Sequence, residues 1–413
     1  LNENLNEESI TDKARYSFDG VKRQRLNSPL LKVNGSFIEV TWEDAFNKIL
    51  SLVKKNPSVI SFLLGQLNDL ETISQVQKFQ NSFKISVNVF TEKKLDSVNS
   101  NYDSISTFQA SDMDFDTLKP DLILLVCSDI KSNLPLLNVK LRNYVLQTGC
   151  KVGIIGRVGE VNFPYTYLGL DESAFFSIVE GTHYFTQDLI NSSNPLVLVG
   201  EDCLSNDLNC VQNILSNINS SVIFNVLNSQ IAFSGLYDNG ISPVSYINEL
   251  TSSNILFRLG DSFNIDSKPG FFQIYIGHHG FDELKHVDLI LPSLTFMEKD
   301  SSYMNFNGLV QKSNSVSSDF INARSEADII KNLIYFLSKE CTNDFFSGDI
   351  DSNISLSESH HVQGLSLNCV NTNKFNFSCT KPSVEEYYLN NVISRSSKIM
   401  QECQVNNVKK TNF

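Results

Sequence analysis

The stretch "PDLILLVCSDIKSNLPLLNVKLRNYVLQTGCKVGIIGR", residues 120 to 157, contains two apolar runs with a helix-like stretch between them. The runs, "LILLV" and "KVGII", are continuous and rich in Val, Ile and Leu, which is typical of strands buried on both faces. The stretch between them, "LPLLNVKLRNYVLQT", has the length and apolar spacing of a crossover helix. Residues 120 to 157 therefore predict a β-α-β unit of a parallel sheet.

Six more apolar runs of strand length occur along the chain, and each ends in Gly, Asp, Asn, Ser or His. They lie at residues 57–65, 195–202, 221–228, 254–261, 271–279 and 287–293. Helix-like stretches separate several of them, so we expect an α/β fold with two parallel-sheet, Rossmann-like subdomains. We expect four segments: a basic lead-in (residues 1–40), a first α/β subdomain (41–190), a second (191–340), and an irregular wrapping segment ending in a C-terminal helix (341–413).

Two local patterns indicate helices near the ends of the chain. Thr41 followed by Asp44 predicts an N-cap and a helix with one buried face. That face would carry Ala45, Ile49, Leu52 and Val53. "SVEEYYLNNVISRSSKIMQEC", residues 383–403, predicts a single final helix.

Composition excludes several classes of protein. The net charge of −13 disfavours binding to nucleic acid or to an anionic membrane surface. No run of 18 apolar residues occurs, so we expect no membrane span. The eight cysteines include no C-x2-C or C-x3-C pair, which argues against a metal or iron–sulfur site and favours reduced, buried thiols.

The histidines form the most conspicuous candidate metal site. "IGHHGFDELKH", residues 276–286, holds three of the six histidines of the chain beside two acidic residues. Adjacent side chains on an extended segment point to opposite faces, so His278 and His279 cannot easily converge on one ion. We predict no metal here, and imidazoles that hydrogen-bond to the backbone in a turn.

Recognised catalytic and nucleotide-binding motifs are absent from the sequence. It contains no G-x-G-x-x-G, Walker or G-x-S-x-G motif. Lys22, Arg23 and Arg25 could hold a phosphate, but ion pairs with a partner or with acidic parts of the same chain are equally open.

Several segments, in order, resemble a known family. "ITDKARYSFDGVKRQRLNSPLLK" (10–32) followed by "VTWEDAF" (40–46) resembles the large, 75 kDa iron–sulfur subunits of respiratory complex I, just after their cluster-binding portion. "GHHG", "VDLILPSLTFMEKDSSYMNFNGLVQ" (287–311) and "YYLNNVISRSSKIMQEC" (387–403) are similar to the same family. A "P-L-x-N-x-x-x-R" pattern is shared with the wider molybdopterin oxidoreductase superfamily. It consists of Pro135, Leu136, Asn138 and Arg142.

The resemblance implies the superfamily fold but an abandoned cofactor site. The dinucleotide-contacting stretch of the superfamily has the form E-K/R-D-G-x-x-x-N-x-E-G-R-x-Q. This chain keeps Glu298, Lys299, Asp300, Asn305, Gly308 and Gln311. Ser301, Asn307 and Leu309 replace Gly, Glu and Arg, and the loss of Arg removes a fork of donors suited to phosphate. We therefore expect no cofactor on this chain, with FMN and iron–sulfur clusters in partner subunits.

The cysteine motifs that bind clusters in the 75 kDa subunit are also missing, so we expect a split gene or a processed chain with a separate cluster-bearing half.

The resemblance implies a non-catalytic structural domain of the peripheral arm of complex I, on the matrix side of the mitochondrial inner membrane. It would support the electron path from NADH and FMN to ubiquinone. Its expected partners are the cluster-bearing half and other peripheral-arm subunits. The contact candidates in the lead-in are Arg15, Lys22, Arg23 and Arg25.

Two alternatives remain open. A catalytic molybdopterin-dependent oxidoreductase subunit would need a protein ligand to the metal and Gly-rich loops for two pterin dinucleotides. A free-standing nucleotide-binding module would need the Gly-rich fingerprints that are absent here.

Overall fold

A computed structural model describes Glu8 and residues 10–55, 59–91, 113–157, 161–200, 208–227, 231–241, 254–260, 271–316, 322–340 and 387–411. The helices, numbered in chain order, are α1 (Asp12–Tyr16), α2 (Trp42–Val53), α3 (Leu70–Ser82), α4 (Phe115–Leu118), α5 (Ile130–Asn133), α6 (Pro135–Thr148), α7 (Glu172–Val179), α8 (Phe185–Asn191), α9 (Leu208–Ile218), α10 (Ile231–Asp238), α11 (Glu326–Glu340), α12 (Val392–Ser396) and α13 (Lys398–Thr411). Short 3-10 helices cover Ser17–Gly20 and Asp282–His286. The strands are β1 (Leu30–Val33), β2 (Ser36–Glu39), β3 (Val59–Leu64), β4 (Ser86–Thr91), β5 (Leu122–Val126), β6 (Lys151–Ile155), β7 (Thr166–Gly169), β8 (Pro195–Val199), β9 (Ile223–Val226), β10 (Ile255–Leu259), β11 (Phe272–Gly277), β12 (Leu289–Pro292), β13 (Ser301–Met304) and β14 (Val310–Ser313).

A seven-stranded sheet has the order β2-β1-β12-β11-β10-β3-β4. Five neighbouring strands, from β12 to β4, are parallel to one another, and β1 joins β12 in antiparallel fashion. Helices α2, α3, α10 and α11 contribute the buried apolar side chains that pack on this sheet. As predicted, Thr41 caps α2, because its Oγ1 accepts a hydrogen bond from the backbone N–H of Asp44 at 3.1 Å.

A five-stranded, fully parallel sheet with the order β7-β6-β5-β8-β9 lies between β4 and β10 in the sequence. Alternate residues of β5 enter two different apolar clusters, one with α6 and the other with α7, α8 and α9. The sheet is therefore buried on both faces. The β-α-β unit predicted from residues 120 to 157 is β5, α6 and β6.

Strand pairing corrects the expected division of the chain near residue 190. The segment expected as the first subdomain contributes β3 and β4 to one sheet and β5, β6 and β7 to the other, while β8 and β9 join β5 rather than β10. The two sheets are thus nested in sequence instead of consecutive. The apolar runs are alike in length and composition, so their sequence does not specify which of them pair.

All eight predicted apolar runs form strands, and the α/β class is confirmed. Within the described ranges, the six other strands have no continuous apolar run, because each is short or partly exposed; β2, for example, is exposed at three of its four positions. The expected wrapping segment, residues 341–380, lies outside the described residues. The expected single final helix is instead two helices, α12 and α13, separated at Ser397.

The β13–β14 hairpin connects the two sheets. At its base, the backbone N–H of Ser302 donates to the Glu71 carboxylate at 2.9 Å. Toward its tip, Phe306 packs on the α6 side of the five-stranded sheet. None of the described helices is long and apolar enough to cross a bilayer.

Candidate functional site at the carboxyl ends of the strands

The best candidate for a ligand site is a cleft between the carboxyl ends of β3 and β10. The chain continues from β3 to β4 on one side and from β10 to β11 and β12 on the other, so this is the topological switch point at which open α/β sheets bind ligands. The cleft has an empty volume of about 440 Å³, part of which is open to solvent. Its walls consist of Gln66, Leu67, Asn68, Leu259, Gly260, His278, Glu326, Asn390, Asn391 and Val392. We call it the strand-end cleft.

The helix that follows β3 already has an anion at its N-terminus. Asp69 is 2% exposed, and its Oδ1 accepts a hydrogen bond from the backbone N–H of Thr72 at 2.8 Å. A helix N-terminus at this edge of a sheet is where a ligand phosphate would bind. In α3, the carboxylate of Asp69 occupies the place of such a phosphate.

Lys299 joins Asp69 to Glu326 in a buried ion cluster, which we call the Lys299 cluster. Its Nζ lies 2.5 Å from Asp69 Oδ2 and 2.6 Å from Glu326 Oε2, and each of the three side chains is 7% exposed or less. Burial alone would lower the pKa of Lys299, but the charges of Glu326 and Asp69 outweigh burial and raise it. Burial raises the pKa of Asp69, but Lys299 and the bonds from Thr72 outweigh it, so that the net pKa is lowered. The cation of Lys299 is thus engaged internally.

Arg25 and Glu298 form a second buried pair. The guanidinium donates two hydrogen bonds, from Nη1 to Oε1 and from Nη2 to Oε2, both of 2.7 Å, and both side chains are 3% exposed. Glu298 Oε2 also accepts from the backbone N–H of Thr295 at 2.9 Å. Arg25, a partner-contact candidate from the sequence, has an internal partner in Glu298, which lies 273 residues away and which the lead-in alone does not indicate.

Two other retained residues of the eroded stretch shape the β13–β14 hairpin. Asn305 Oδ1 accepts from the backbone N–H of Asn307 at 3.0 Å and of Leu309 at 2.9 Å. Gly308 has a φ of +77°, which a side chain would disfavour. Leu309, at the position of the lost Arg, is 47% exposed. This part of the stretch maintains a turn.

Asp300 and Gln311 also have structural positions. Asp300 Oδ1 accepts from the backbone N–H of Ser315 at 2.7 Å, and Gln311 pairs with Tyr303 across the hairpin. Ser301, at the position of the lost Gly, is 1% exposed and its hydroxyl donates to Asp69 at 3.2 Å. The stretch therefore holds the hairpin on the Lys299 cluster.

The histidine pair lies at the end of β11, beside the strand-end cleft. His279 is fully buried and its Nε2 donates to the carbonyl oxygen of Gly20 at 2.9 Å. Burial lowers its pKa to about 4, although the bond to Gly20 acts in the opposite direction. Burial, and then the neighbouring charges of His279, Arg25 and Lys299, hold the pKa of His278 well below its usual value. The backbone contact predicted for the pair is present in His279.

No group of three His, Cys, Asp or Glu side chains in the described ranges could hold a metal ion. His360 and His361 lie outside those ranges.

Cys127, Cys150 and Cys403 form no disulfide bond, and the first two are buried. Burial, with Asp121 nearby, raises the pKa of Cys150 to about 12, which disfavours a nucleophilic thiolate.

The three other partner-contact candidates of the lead-in lie on the outside of the molecule. Arg15 and Lys22 are exposed. Arg23 is partly exposed, with Nη2 3.9 Å from Asp19 Oδ2. Arg25, in contrast, has its side chain buried against Glu298.

Sequence patterns missed three contributors to the site: Asp69, Glu326 and the C-terminal segment, residues 387–397. Asp69 had a local signal, since Asp before an apolar helical pattern indicates an N-cap. Glu326 and the C-terminal segment had none, because their role depends on contacts with distant elements.

Comparisons with known proteins give a consistent set of similarities. A family model described as molybdopterin oxidoreductase matches residues 25–335, and one for the C-terminal part of the G subunit of NADH-ubiquinone oxidoreductase matches residues 358–403. The chain is 32% identical to the NADH-ubiquinone oxidoreductase 75 kDa subunit of Reclinomonas americana, over 98% of this chain and 63% of that protein. It is 30% identical to the mitochondrial NADH dehydrogenase [ubiquinone] iron-sulfur protein 1 of Solanum tuberosum, over 98% of this chain and 57% of that protein.

The G subunit of the NADH-quinone oxidoreductase of Rickettsia conorii is 27% identical, over 98% of this chain and 62% of its own length. The chain thus spans about three fifths of the length of these curated relatives. Among solved structures, a chain of the formyltransferase/hydrolase complex from Methylorubrum extorquens matches with a TM-score of 0.50 at 11% identity. The match covers 72% of this chain and 96% of that one. This last likeness concerns the fold alone.

Proposed function

The chain belongs to the molybdopterin oxidoreductase family, and from this premise we propose that it is a non-catalytic structural part of respiratory complex I. In this role it supports the iron–sulfur electron path from NADH and FMN to ubiquinone. It belongs to the peripheral arm, on the matrix side of the mitochondrial inner membrane, and works beside a cluster-bearing partner and other peripheral-arm subunits.

The names of the relatives support the assembly. The first is the 75 kDa subunit of an NADH-ubiquinone oxidoreductase, and the second is a mitochondrial iron-sulfur protein of NADH dehydrogenase. The third is the G subunit of a bacterial NADH-quinone oxidoreductase. The second family model adds the C-terminal part of that same type of subunit. These matches concern about three fifths of the length of each relative, so the activity of the whole assembly is part of the proposal.

The observation that carries the non-catalytic role is the internal use of polar groups around the strand-end cleft. A pterin dinucleotide is anionic, and its phosphates need cationic or N–H donors. Lys299 and Arg25 are each engaged by buried carboxylates, and Asp69 occupies the N-terminus of α3. The residues present therefore do not fit a pterin dinucleotide, and we assign no cofactor to this chain.

The lead-in is our candidate for the contact with the cluster-bearing partner. Arg15 and Lys22 are exposed cations on a chain with a net charge of −13. Exposed cations on such a chain suit an acidic partner surface and set the register and rate of its association. Arg23 lies beside Asp19 and serves both this surface and the local fold.

The first experiment is affinity purification of the chain from mitochondria in mild detergent, with proteomics and metal analysis on one sample. We expect recovery with flavin and iron–sulfur subunits of complex I, without molybdenum or tungsten. A soluble species with stoichiometric molybdenum and without those subunits would overturn the proposal and favour the catalytic oxidoreductase. A free-standing nucleotide-binding module would be recovered alone and without metal.

A pair of charge-reversal variants tests the lead-in. Arg15→Glu with Lys22→Glu should reduce co-purification of the cluster-bearing partner several-fold at low salt. The difference from the wild type should shrink at high salt, because salt screens exposed charges. The matched control is Lys54→Glu with Lys55→Glu, which reverses two exposed cations at the end of α2. Equal recovery from both double variants would refute the lead-in as the contact.

A further inference from the structure

The C-terminal segment forms one wall of the strand-end cleft. Asn390, Asn391 and Val392 face the ends of β3 and β10 across the cleft. In sequence these residues follow the last element of the seven-stranded unit, α11, by about 50 positions. The chain therefore returns to the switch point after both sheets are built and covers the place where a strand-end ligand would lie.

Side chains of the lead-in hold the C-terminal segment in place. Asp19 accepts hydrogen bonds from the hydroxyl of Ser397 and, at 3.1 Å, from the backbone N–H of Lys398. It thus supplies a carboxylate to the N-terminus of α13, where negative charge is favourable. The hydroxyl of Ser396 donates to the carbonyl oxygen of Gly20 at 2.9 Å.

Gly20 allows the two segments to touch backbone to backbone. A Cβ at this position would lie 2.2 Å from the carbonyl oxygen of Ile393 and 2.9 Å from Ser396 Oγ. The first atom belongs to the backbone, so no rotation of a side chain relieves the overlap. Beside this contact, Val21, Val392 and Ile393 form a small buried apolar cluster.

The end of β11 also takes part in this contact between the lead-in and the C-terminal segment. The carbonyl oxygen of Gly20 also accepts from His279 Nε2, so one oxygen joins the lead-in, the C-terminal segment and the strand end. Next to it, the backbone N–H of Gly280 donates to the carbonyl of Gln24 at 2.7 Å. His278, which precedes His279, lines the cleft.

From this geometry we propose that residues 387–397 are a built-in plug for the strand-end cleft and that the lead-in is its latch. The plug occupies one side of the place where a strand-end ligand would lie, and the cleft widens only when the contact of Gly20 and Asp19 with residues 393–398 is released. The inference concerns the internal mechanics of this chain and does not depend on the assembly proposed above.

Two alanine substitutions, at Gly20 and at Gly280, test the latch in the full chain. Gly20→Ala forces the lead-in and the plug apart. Gly280→Ala is the matched control, because the nearest atoms to its Cβ lie at 3.7 Å, an ordinary contact distance. Backbone hydrogen exchange, read by mass spectrometry, should speed up in Gly20→Ala at residues 387–397 and also at the strand ends, residues 65–68 and 259–260. We expect at least about tenfold, the factor for a loss of local stability of about 1.4 kcal/mol.

Faster exchange confined to the lead-in and residues 387–397, with the strand ends unchanged, would overturn the proposal, because the segment would then merely pack beside the cleft. Equal exchange in Gly20→Ala and Gly280→Ala would also overturn it. If Gly20→Ala fails to fold, Asp19→Asn replaces it, since this change keeps the shape of the side chain and weakens its bonds to Ser397 and Lys398. The same two sets of peptides should then exchange faster, by a smaller factor, and unchanged strand ends would again refute the latch.

Discussion

Replacing Lys299 by Met is the most informative single change for the buried charges of this protein. Met keeps most of the length of the side chain and removes the ammonium that lies 2.5 Å from Asp69 and 2.6 Å from Glu326. Two carboxylates, 3% and 6% exposed, then share a site without a cation. Breaking a buried ion pair by removing one partner typically costs about 3–5 kcal/mol. We expect a loss of that size in the free energy of unfolding at pH 8.

The loss should depend on pH in a defined direction. Without Lys299, one of the two carboxylates is expected to take a proton in the folded state, so its folded pKa rises above the unfolded value. A raised folded pKa contributes stability below the unfolded pKa, and that stability is lost as the pH rises through the folded value. The variant should therefore be less destabilised at pH 5 than at pH 8, whereas in the wild type the lowered pKa of Asp69 and the raised pKa of Lys299 keep that pair charged at both.

The assay is urea unfolding followed by the fluorescence of Trp42, the single tryptophan, which lies in α2 and packs against the core of the seven-stranded sheet. Lys312→Met, at an exposed position of β14, is the control and should change stability by no more than about 0.5 kcal/mol. Adding Asp69→Asn and Glu326→Gln to Lys299→Met should restore part of the loss, because neutral amides repel each other less. A loss below about 1 kcal/mol at both pH values, equal to that of the control, would refute the reasoning.

Three further predictions use the same unfolding assay. Arg25→Lys replaces a two-bonded fork to Glu298 by a single ammonium and should cost about 1.5–3 kcal/mol, whereas an unchanged midpoint would contradict a structural role for the pair. Protonation of His279, with a pKa of about 4 when folded and about 6.5 when unfolded, should lower the stability by up to about 3 kcal/mol as the pH falls from 6.5 to 4. His279→Gln should reduce the slope by about that amount and leave the part due to His278, whose pKa is also lowered, whereas an unchanged slope would contradict the assignment to His279. Gly200→Ala places a Cβ 2.1 Å from the carbonyl oxygen of Cys127, so we expect a loss of at least about 1–3 kcal/mol, and wild-type stability would contradict the close contact.

Local patterns in the sequence determined most of the individual elements. The apolar runs became strands because a continuous stretch of Val, Ile and Leu needs burial on both faces, as in β5 and β8. Thr41 and Asp44 fixed the start of α2 through contacts three residues apart. The resemblance of segments in order indicated the molybdopterin oxidoreductase superfamily, and the family model that matches residues 25–335 confirms it.

Patterns of the same kind misjudged the C-terminal end. Residues 383–403 were expected to form one helix, but Asn391 caps α12 and Ser397 separates it from α13, where the Ser397 hydroxyl is engaged by Asp19 from the other end of the chain. The polar residues kept in the eroded stretch likewise suggested the remains of a cofactor site. Their partners in the structure are instead Arg25, Asp69 and the hairpin itself.

The sequence by itself therefore determined the class of the fold, the eight strands that carry continuous apolar runs and the cap of α2, because these depend on interactions between residues a few positions apart. Tertiary structure alone decided that β3 pairs with β10 rather than β5, that Arg25 meets Glu298, and that the C-terminal segment lines the strand-end cleft. These choices are made among strands and charges that are locally alike. Only the simultaneous packing of the whole chain distinguishes them, since the partners lie far apart in sequence, by 191 positions for Asn68 and Leu259 and by 273 for Arg25 and Glu298.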